Sequence, residues 1–371
     1  MPHNRGMRFL HTADWHIGLE AAFAGSAAPR VRDARLEAAR NVIQAAREHS
    51  AEFIVAAGDT FDHNAIARHV VAEVADIFGS APCPVFVIAG NHDPLEPASV
   101  WNHPAWRTAN RVKILTERNP VSVGGGTLYP CPLTRKRSEE EPSSWIPVKG
   151  DGIRIAIAHG NAGDIMAEDG GHPIPFGAAE RLSLDYVALG HWHSTLEFPS
   201  GAATRMAYCG APETASFGER DSGNVLLVDI AQHGAPPVLN RIRTGVLSFV
   251  NLEENVTVEG RLAEFVRQMA ALPNPDTSLI QIRLRGLLFE RDRDELGRIR
   301  SACSRCLHSR VDESGLRPAP QDAAWVRGLP PGVIAETAQR LRGLASEGGE
   351  QSAVAMQALL ELYAIYSEVR A

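Results

Sequence analysis

The sequence has little in common with membrane or secreted proteins. None of its apolar runs approaches the roughly 20 residues that a membrane-spanning helix requires. The charged start and long apolar stretch of a secretory signal are also missing before the first strand-like segment at 7–12. These absences favour a cytoplasmic protein that does not associate with a membrane.

Cysteine is scarce, and its number is odd. The five cysteines are Cys83, Cys131, Cys209, Cys303 and Cys306. Few cysteines in an odd number do not predict a disulfide framework. Cys303 and Cys306 form a C-x-x-C pair, but a structural zinc ion needs four ligands, usually from two such pairs. We therefore expect structural cysteines, with zinc at this pair as the alternative.

Lysine is almost absent, because nearly all of the 37 basic residues are arginine. The net charge of −7 excludes a uniformly basic nucleic-acid binder. It does not exclude a local basic groove, since binding follows the local field rather than the total charge.

Strand and helix patterns alternate up to about Thr244. The sequence predicts strands at 8–12, 53–57 and 85–89, and helices at 29–49 and 66–78. The strand runs are continuously apolar, which is typical of strands covered on both faces. A second set of strands is predicted at 153–158, 186–189 and 225–230. Two packed sheets with helices outside, an α/β fold, would satisfy this pattern.

The character of the chain changes near Gly245. Strands are predicted at 246–251, 278–284 and 307–311, with helices at 258–271 and 291–303 between them. A Pro- and Gly-rich segment then leads to helices at 333–344 and 353–369. The expected domains are therefore 1–245, a small αβ unit at 246–317, and a linker with C-terminal helices at 318–371.

Five short polar motifs each follow one of the apolar runs of the first region. They read Asp14-Trp15-His16, Gly58-Asp59-Thr60-Phe61-Asp62, Gly90-Asn91-His92-Asp93, His159-Gly160 and Gly190-His191-Trp192-His193. The carboxyl ends of strands are where loops converge in open α/β sheets, so these motifs are expected to meet.

The motifs supply ligands in a number that suits two metal ions. The candidate ligands are Asp14, His16, Asp59, Asn91, His159, His191 and His193. Alternation along an extended segment would place Asp14 and His16 on one side, and the carboxylate of Asp59 is a natural bridge. Nitrogen and oxygen donors without thiolate suit Mn, Fe, Zn or Co, and two such ions form a common centre for cleaving phosphate esters.

His92 follows a candidate ligand and is expected to act on the substrate instead. As an imidazolium it would stabilise the transition state and protonate the leaving oxygen, with Asp93 orienting it. Asp62 either orients a ligand or caps its loop.

The five motifs together resemble the calcineurin-like metallophosphoesterase superfamily. The opening, Phe9-Leu10-His11-Thr12-Ala13-Asp14-Trp15-His16-Ile17-Gly18, is similar to that of the SbcD-type nucleases that repair DNA double-strand breaks. The resemblance implies an α/β–β/α two-sheet sandwich with a small αβ DNA-capping domain and C-terminal helices. It also implies Mn²⁺ as cofactor, the seven ligands above, and His92 as the catalytic histidine. Relatives tend to have a second histidine where this chain has Asp62.

The resemblance further implies two macromolecular partners, DNA and an SMC-like coiled-coil ATPase of the SbcC type. It also implies a homodimer, for which helix 66–78 is a candidate surface. The final helix has an apolar stripe that would dock on the ATPase or pack on its own domain. This stripe consists of Leu359, Leu362, Tyr363 and Tyr366.

The leading hypothesis is a DNA exonuclease or endonuclease. Many arginines between 283 and 310 are available for phosphate contacts. A phosphodiesterase or phosphatase that acts on small molecules or phosphoproteins is the first alternative, although His63 and Asp93 depart from the protein-phosphatase pattern. A non-catalytic scaffold is the second, although none of the ligand positions is degenerate.

Overall fold

A computed structural model of the chain describes residues 6–163, 171–200, 203–320, 323–347 and 350–370. The strands are β1 Met7–Thr12, β2 Phe53–Ala57, β3 Val85–Ile88, β4 Val112–Ile114, β5 Val121–Val123, β6 Gly126–Cys131, β7 Ile153–His159, β8 Asn161–Ala162, β9 Pro173–Ile174, β10 Tyr186–Gly190, β11 Leu196–Ser200, β12 Ala203–Tyr208, β13 Asn224–Ile230, β14 Val238–Arg243, β15 Ser248–Val256, β16 Ser278–Leu288 and β17 His308–Pro318. The α-helices are α1 Ala28–Glu48, α2 Arg68–Gly79, α3 Ala178–Arg181, α4 Arg261–Ala270, α5 Arg293–Cys303, α6 Val333–Ser346 and α7 Glu350–Arg370.

The first sheet has the order β14-β13-β1-β2-β3-β4, and its strands from β1 to β4 are parallel. Helices α1 and α2 connect these strands and bury their apolar faces in a cluster that includes Leu10, Ile54 and Val87. The strands β2 and β3 are buried along their whole length, as their continuous apolarity predicts.

The predicted membership of β13 is wrong. The sequence assigns it to the second set of strands, but β13 pairs antiparallel with β1 at the first sheet. A continuous apolar run indicates a buried strand without indicating its partner, and the hairpin with β14 returns this one to the first sheet.

The second sheet has the order β11-β12-β10-β7-β6-β5 and packs face to face against the first. The rings of Phe9 and Phe53 stack at 4.9 Å between the sheets, and Tyr186 of the second sheet meets Phe9 edge-on at 5.9 Å. The predicted two-sheet α/β sandwich is therefore confirmed.

Contacts divide the chain into two compact units, Met1–Leu247 and Ser248–Ala371. The second unit contains a parallel sheet with the order β15-β16-β17, crossed over by α4 and α5. Its core includes Phe265, Ile282 and Ile299. The strand predicted at 307–311 is longer than expected, because it continues to Pro318 where the predicted linker begins.

The apolar stripe of the final helix packs within its own unit. Leu359 is only 2% exposed and lies in a cluster with Val326, Leu329 and Ala338. The rings of Tyr363 and Trp325 lie 4.9 Å apart. The stripe therefore stabilises the pairing of α6 and α7, which is the self-packing alternative.

All five cysteines are free. In the described part of the chain, no helix has the length and apolarity to cross a membrane. Likewise, no group of three metal-binding side chains among the described residues includes Cys303 or Cys306.

Candidate metal centre

The predicted ligands lie on loops with unusual backbone conformations. Asp14, His16 and Asp59 have φ values of 55°, 44° and 51°, and His191 has 115°. Residues other than glycine rarely adopt positive φ values, and the backbone strain that these values cause is concentrated at functional sites. The expected alternation of an extended Asp14-x-His16 segment is therefore wrong, because these two residues reach the centre through a left-handed loop.

Hydrogen bonds between the loops hold this conformation. The backbone N–H of Asp14 donates to the Gly58 carbonyl at 3.1 Å, and that of His16 donates to the Asp59 carbonyl at 3.0 Å. Gly90 allows the third loop to approach, since a Cβ at this position would overlap Asp59 Oδ1. Glycine before the ligand is thus a requirement of close packing at this loop.

The loops bring the candidate ligands together in three overlapping groups. These are Asp14 with His16 and His193, His16 with Asp59 and His92, and Asp59 with His159 and His191. Within each group the donor atoms lie within 4.8 Å of one another. Asn91 joins the third group, with its Oδ1 at 2.7 Å from His159 Nε2 and 3.0 Å from His191 Nδ1.

Asp59 lies between the two ends of this arrangement. Its Oδ2 is 3.7 Å from His16 Nε2 and 3.3 Å from His159 Nε2. The carboxylate is almost completely buried. Asp59 therefore lies within reach of donor atoms at both ends.

The donor atoms fit metal ions better than they fit one another. His16 and His193 direct their Nε2 atoms at each other across 3.0 Å, while their Nδ1 atoms are bound to carboxylates. The Nε2 of His159 likewise faces the carboxamide oxygen of Asn91, and that of His191 is buried without a partner. Lone pairs that converge in a buried space are stabilised by a shared cation.

Each of three histidines has its outer nitrogen fixed by an acceptor. His16 Nδ1 lies 3.2 Å from Asp62 Oδ1, and His193 Nδ1 lies 3.0 Å from Glu219 Oε1. His159 Nδ1 lies 2.8 Å from the carbonyl of Ala57. Such partners fix the ring orientation and the tautomer that leaves Nε2 available to a metal. The sequence alone does not identify Glu219, because no local motif connects it with His193.

Burial and neighbouring charges shift the pKa values of several side chains in this centre. Burial raises the pKa of Asp14 to about 6, against the attraction of His159. Burial lowers the pKa of His16 to about 4 and that of His191 to about 3. Burial would also lower the pKa of His159, but Asp59 overcomes this effect and raises it to about 9. The proton on His159 thus supplies positive charge beside Asp59, where a bound cation would supply it instead.

His92 lies beside this centre at the wall of a cavity. Its backbone N–H donates to Asp59 Oδ1 at 2.8 Å, and its Nδ1 lies 2.8 Å from the carbonyl oxygen of Asp62. The side chain is 35% exposed, about as much as the 32% of His193. The cavity has a volume of about 520 Å³, and its lining includes Asp59, His92 and Trp192.

The expected contact between Asp93 and His92 is wrong. Asp93 is fully buried, and its carboxylate accepts hydrogen bonds from the N–H groups of Phe61 at 3.0 Å and Gly90 at 2.7 Å. It therefore ties the second and third loops together, and burial next to Asp59 raises its pKa to about 7. The carbonyl oxygen of Asp62 orients His92 in its place.

The family profile of the calcineurin-like phosphoesterases matches residues 7–195 of the chain. This range includes the five motifs and all seven candidate ligands. The chain therefore belongs to the calcineurin-like phosphoesterase family, which hydrolyses phosphate esters with the help of divalent metal ions.

The chain is similar to a DNA double-strand break repair protein and to subunits of a nuclease. The DNA double-strand break repair protein Mre11 of Haloferax volcanii is 26% identical, over 75% of this chain and 61% of that protein. The SbcD component of the SbcCD nuclease of Escherichia coli is 25% identical, over 57% of this chain and 62% of that protein. The Bacillus subtilis protein of the same name is 28% identical, over 60% of this chain and 66% of that protein. The chain thus spans less than two thirds of the length of these relatives.

Proposed function

We propose that this chain is the nuclease component of a DNA-repair complex and hydrolyses phosphodiester bonds in DNA with two divalent metal ions. The observation that carries the proposal is the convergence of carboxylate, imidazole and carboxamide donors from five loops beside one cavity. The names of the similar proteins favour DNA over other phosphate esters.

The ligands divide into two sets around Asp59. In this proposal the first set is Asp14, His16 and His193, the second set is Asn91, His159 and His191, and Asp59 bridges them. When bound, the cations supply positive charge that stabilises the phosphate in the transition state. Mn²⁺ suits these nitrogen and oxygen donors, and we propose it as the metal.

His92 supplies the proton for the leaving group. Since its Nδ1 is bound to the Asp62 carbonyl, the imidazolium has its Nε2–H available toward the cavity that it lines. A water oxygen forms the new bond to phosphorus and releases a proton to solvent. The bond between phosphorus and the leaving oxygen breaks, and Nε2 of His92 donates its proton to that oxygen. The charge of the imidazolium also stabilises the phosphate before transfer.

The second unit contributes shape rather than positive charge to DNA binding. Its αβ part at 246–317 has 11 arginines and 11 aspartates and glutamates, so the charges of these residues balance. Several arginines that were candidates for phosphate contacts are paired with carboxylates, as Arg285 is with Glu253 at 3.1 Å and Arg300 with Glu313 at 2.7 Å. We therefore assign the αβ unit at 246–317 the role of a cap that positions DNA.

The C-terminal helices at 318–371 are proposed to bind an SMC-like coiled-coil ATPase. The stripe around Leu359 is used internally, so the partner would bind the apolar side chains that remain exposed. These are Val333, Ile334, Val354, Met356, Ile365 and Val369. A homodimer through α2 belongs to the same proposal, and the oligomeric state in solution tests it.

A nuclease assay tests the proposed function. Labelled duplex and single-stranded DNA are incubated with the full chain and Mn²⁺, with and without the ATPase, and EDTA is added as a control. We expect cleavage that EDTA abolishes and that exceeds hydrolysis of cyclic mononucleotides. Hydrolysis of small phosphodiesters without cleavage of DNA would contradict the proposal, and so would binding of DNA that stays intact in both conditions.

A further inference from the structure

Glu219 has a largely buried carboxylate that contacts a candidate metal ligand. Its side chain is 10% exposed, and Oε1 accepts a hydrogen bond from His193 Nδ1 at 3.0 Å. The Ser216 hydroxyl donates to the same oxygen at 3.1 Å, and the backbone N–H of Ala215 donates to Oε2 at 2.8 Å. Both oxygens of the carboxylate are therefore engaged.

The contact determines which nitrogen of His193 reaches the centre. Because Nδ1 carries the proton that is shared with Glu219, Nε2 keeps its lone pair and lies 3.0 Å from His16 Nε2. A carboxylate behind a metal-binding histidine fixes the tautomer and makes the ring a better ligand.

The same carboxylate holds one wall of the cavity. Residues 216–218 line the cavity next to His193, and the bonds from Ala215 and Ser216 close this turn onto Glu219. Directly after it, the N–H of Arg220 donates to the Ser194 hydroxyl oxygen at 3.0 Å. The wall and the ligand segment are thus connected at two successive residues.

We propose that Glu219 is a positioning residue, which holds His193 as a metal ligand and keeps the turn at 215–219 against the centre. The proposal rests on the metal centre of the proposed function but does not depend on DNA as the substrate. The competing interpretation is that Glu219 only closes its turn.

Metal affinity separates the two interpretations. The full-length chain and its variants are titrated with Mn²⁺ by isothermal calorimetry, and Co²⁺ is used for visible absorption spectra of the site. We expect Glu219→Gln and Glu219→Ala to weaken binding of one of the two ions by roughly 10–100-fold, with Ala the more severe. The Co²⁺ spectrum should change in parallel, because the geometry of His193 changes.

Two control variants complete the design. Ser216→Ala removes a bond of the turn but leaves the contact with His193, so we expect unchanged metal affinity. Glu73→Gln removes the same charge on α2, where Glu73 pairs with Arg40, and should also have no effect. Unfolding of each variant in EDTA shows whether the fold is intact.

Several outcomes would overturn the proposal. Unchanged affinity and spectrum in Glu219→Gln would assign the residue to the turn alone, as would an equal loss in Ser216→Ala. If Glu219→Ala fails to fold, the Gln variant decides. A wild-type chain that binds two Mn²⁺ ions but leaves DNA intact would contradict the nuclease function and leave this inference standing.

Discussion

At the scale of single residues, the proposed function gives His92 and Asp59 separate tasks although they are hydrogen-bonded to each other. We expect His92→Ala to abolish cleavage, because the proton donor is lost, while two Mn²⁺ ions still bind. Asp59→Ala should lose metal and activity together, because the shared ligand is lost. Metal content by mass spectrometry and the DNA assay measure both effects.

The result for His92→Ala also tests the assignment itself. One of the three groups of donor atoms includes His92 with His16 and Asp59. If His92→Ala loses a metal ion, His92 is a ligand and its catalytic role is wrong. Wild-type metal content in Asp59→Ala would contradict the bridging role.

His11 provides a pH-dependent test away from the metal ligands. Its ring is fully buried between the Tyr186 hydroxyl and the Leu189 carbonyl, and burial lowers its pKa from 6.5 to about 3. Above pH 6.5 the ring is neutral in both states and contributes nothing. Between pH 6.5 and 3 only the unfolded chain binds the proton, so the free energy of unfolding should fall by about 1.4 kcal/mol per pH unit.

Urea unfolding in EDTA at pH 7.5, 6.0 and 5.0 measures this effect. His11→Gln should show a shallower loss of stability with falling pH than the wild type, by about that slope. His69→Gln, at an exposed position on α2, is the control and should retain the wild-type slope. Equal slopes in all three proteins would show that His11 does not titrate as its burial requires.

The residues of the centre differ in how far the sequence could predict them. The motifs predicted the residues that converge, because each directly follows a strand of the sandwich. The sequence could not predict the contact of Glu219 with His193, because it joins residues 26 positions apart through a turn without a known signature. The sequence also could not predict the role of Asp93. An aspartate that orients a side chain and one that accepts hydrogen bonds from backbone N–H groups look the same in a sequence.

At the scale of secondary structure, the sequence predicts which segments are strands more easily than it predicts which strands pair with each other. The runs that became β2, β7 and β10 are buried along their length, so the apolar pattern is clear. Short or partly exposed strands such as β4 and β5 were missed, because three residues give no periodicity. The partner of β13 was wrong because pairing depends on the fold of the whole sheet.

The packing between α6 and α7 makes a contribution to stability that can be tested directly. Leu359→Ala leaves a cavity between the helices and should lower the stability of the C-terminal helices by about 2–5 kcal/mol. Hydrogen exchange of α6 and α7 peptides measures the loss. The matched change Ile365→Ala removes a side chain that is 60% exposed and should have almost no effect. Similar exchange in both variants would contradict the internal packing of the stripe.

At the scale of the whole molecule, the sequence pattern indicates a domain boundary near Gly245. In the structure, the first compact unit ends at Leu247 and the second begins at Ser248. All seven candidate metal ligands lie in the first unit, and none lies in the second. Metal binding is therefore expected to stabilise the two units unequally. A ligand that binds only the folded state adds about 2.7 kcal/mol at 100 times its dissociation constant.

Hydrogen exchange of the full chain in Mn²⁺ and in EDTA tests this asymmetry. We expect Mn²⁺ to slow exchange in β1, β2, β3, β7 and β10, because opening of the sandwich must release the ions. Exchange in β15, β16 and β17 should change little, because no candidate ligand belongs to them. Asp59→Ala should remove the effect of Mn²⁺ while leaving the second unit as it is in the wild type. Equal protection of both units by Mn²⁺, or protection that survives in Asp59→Ala, would mean that the ions bind somewhere other than this centre.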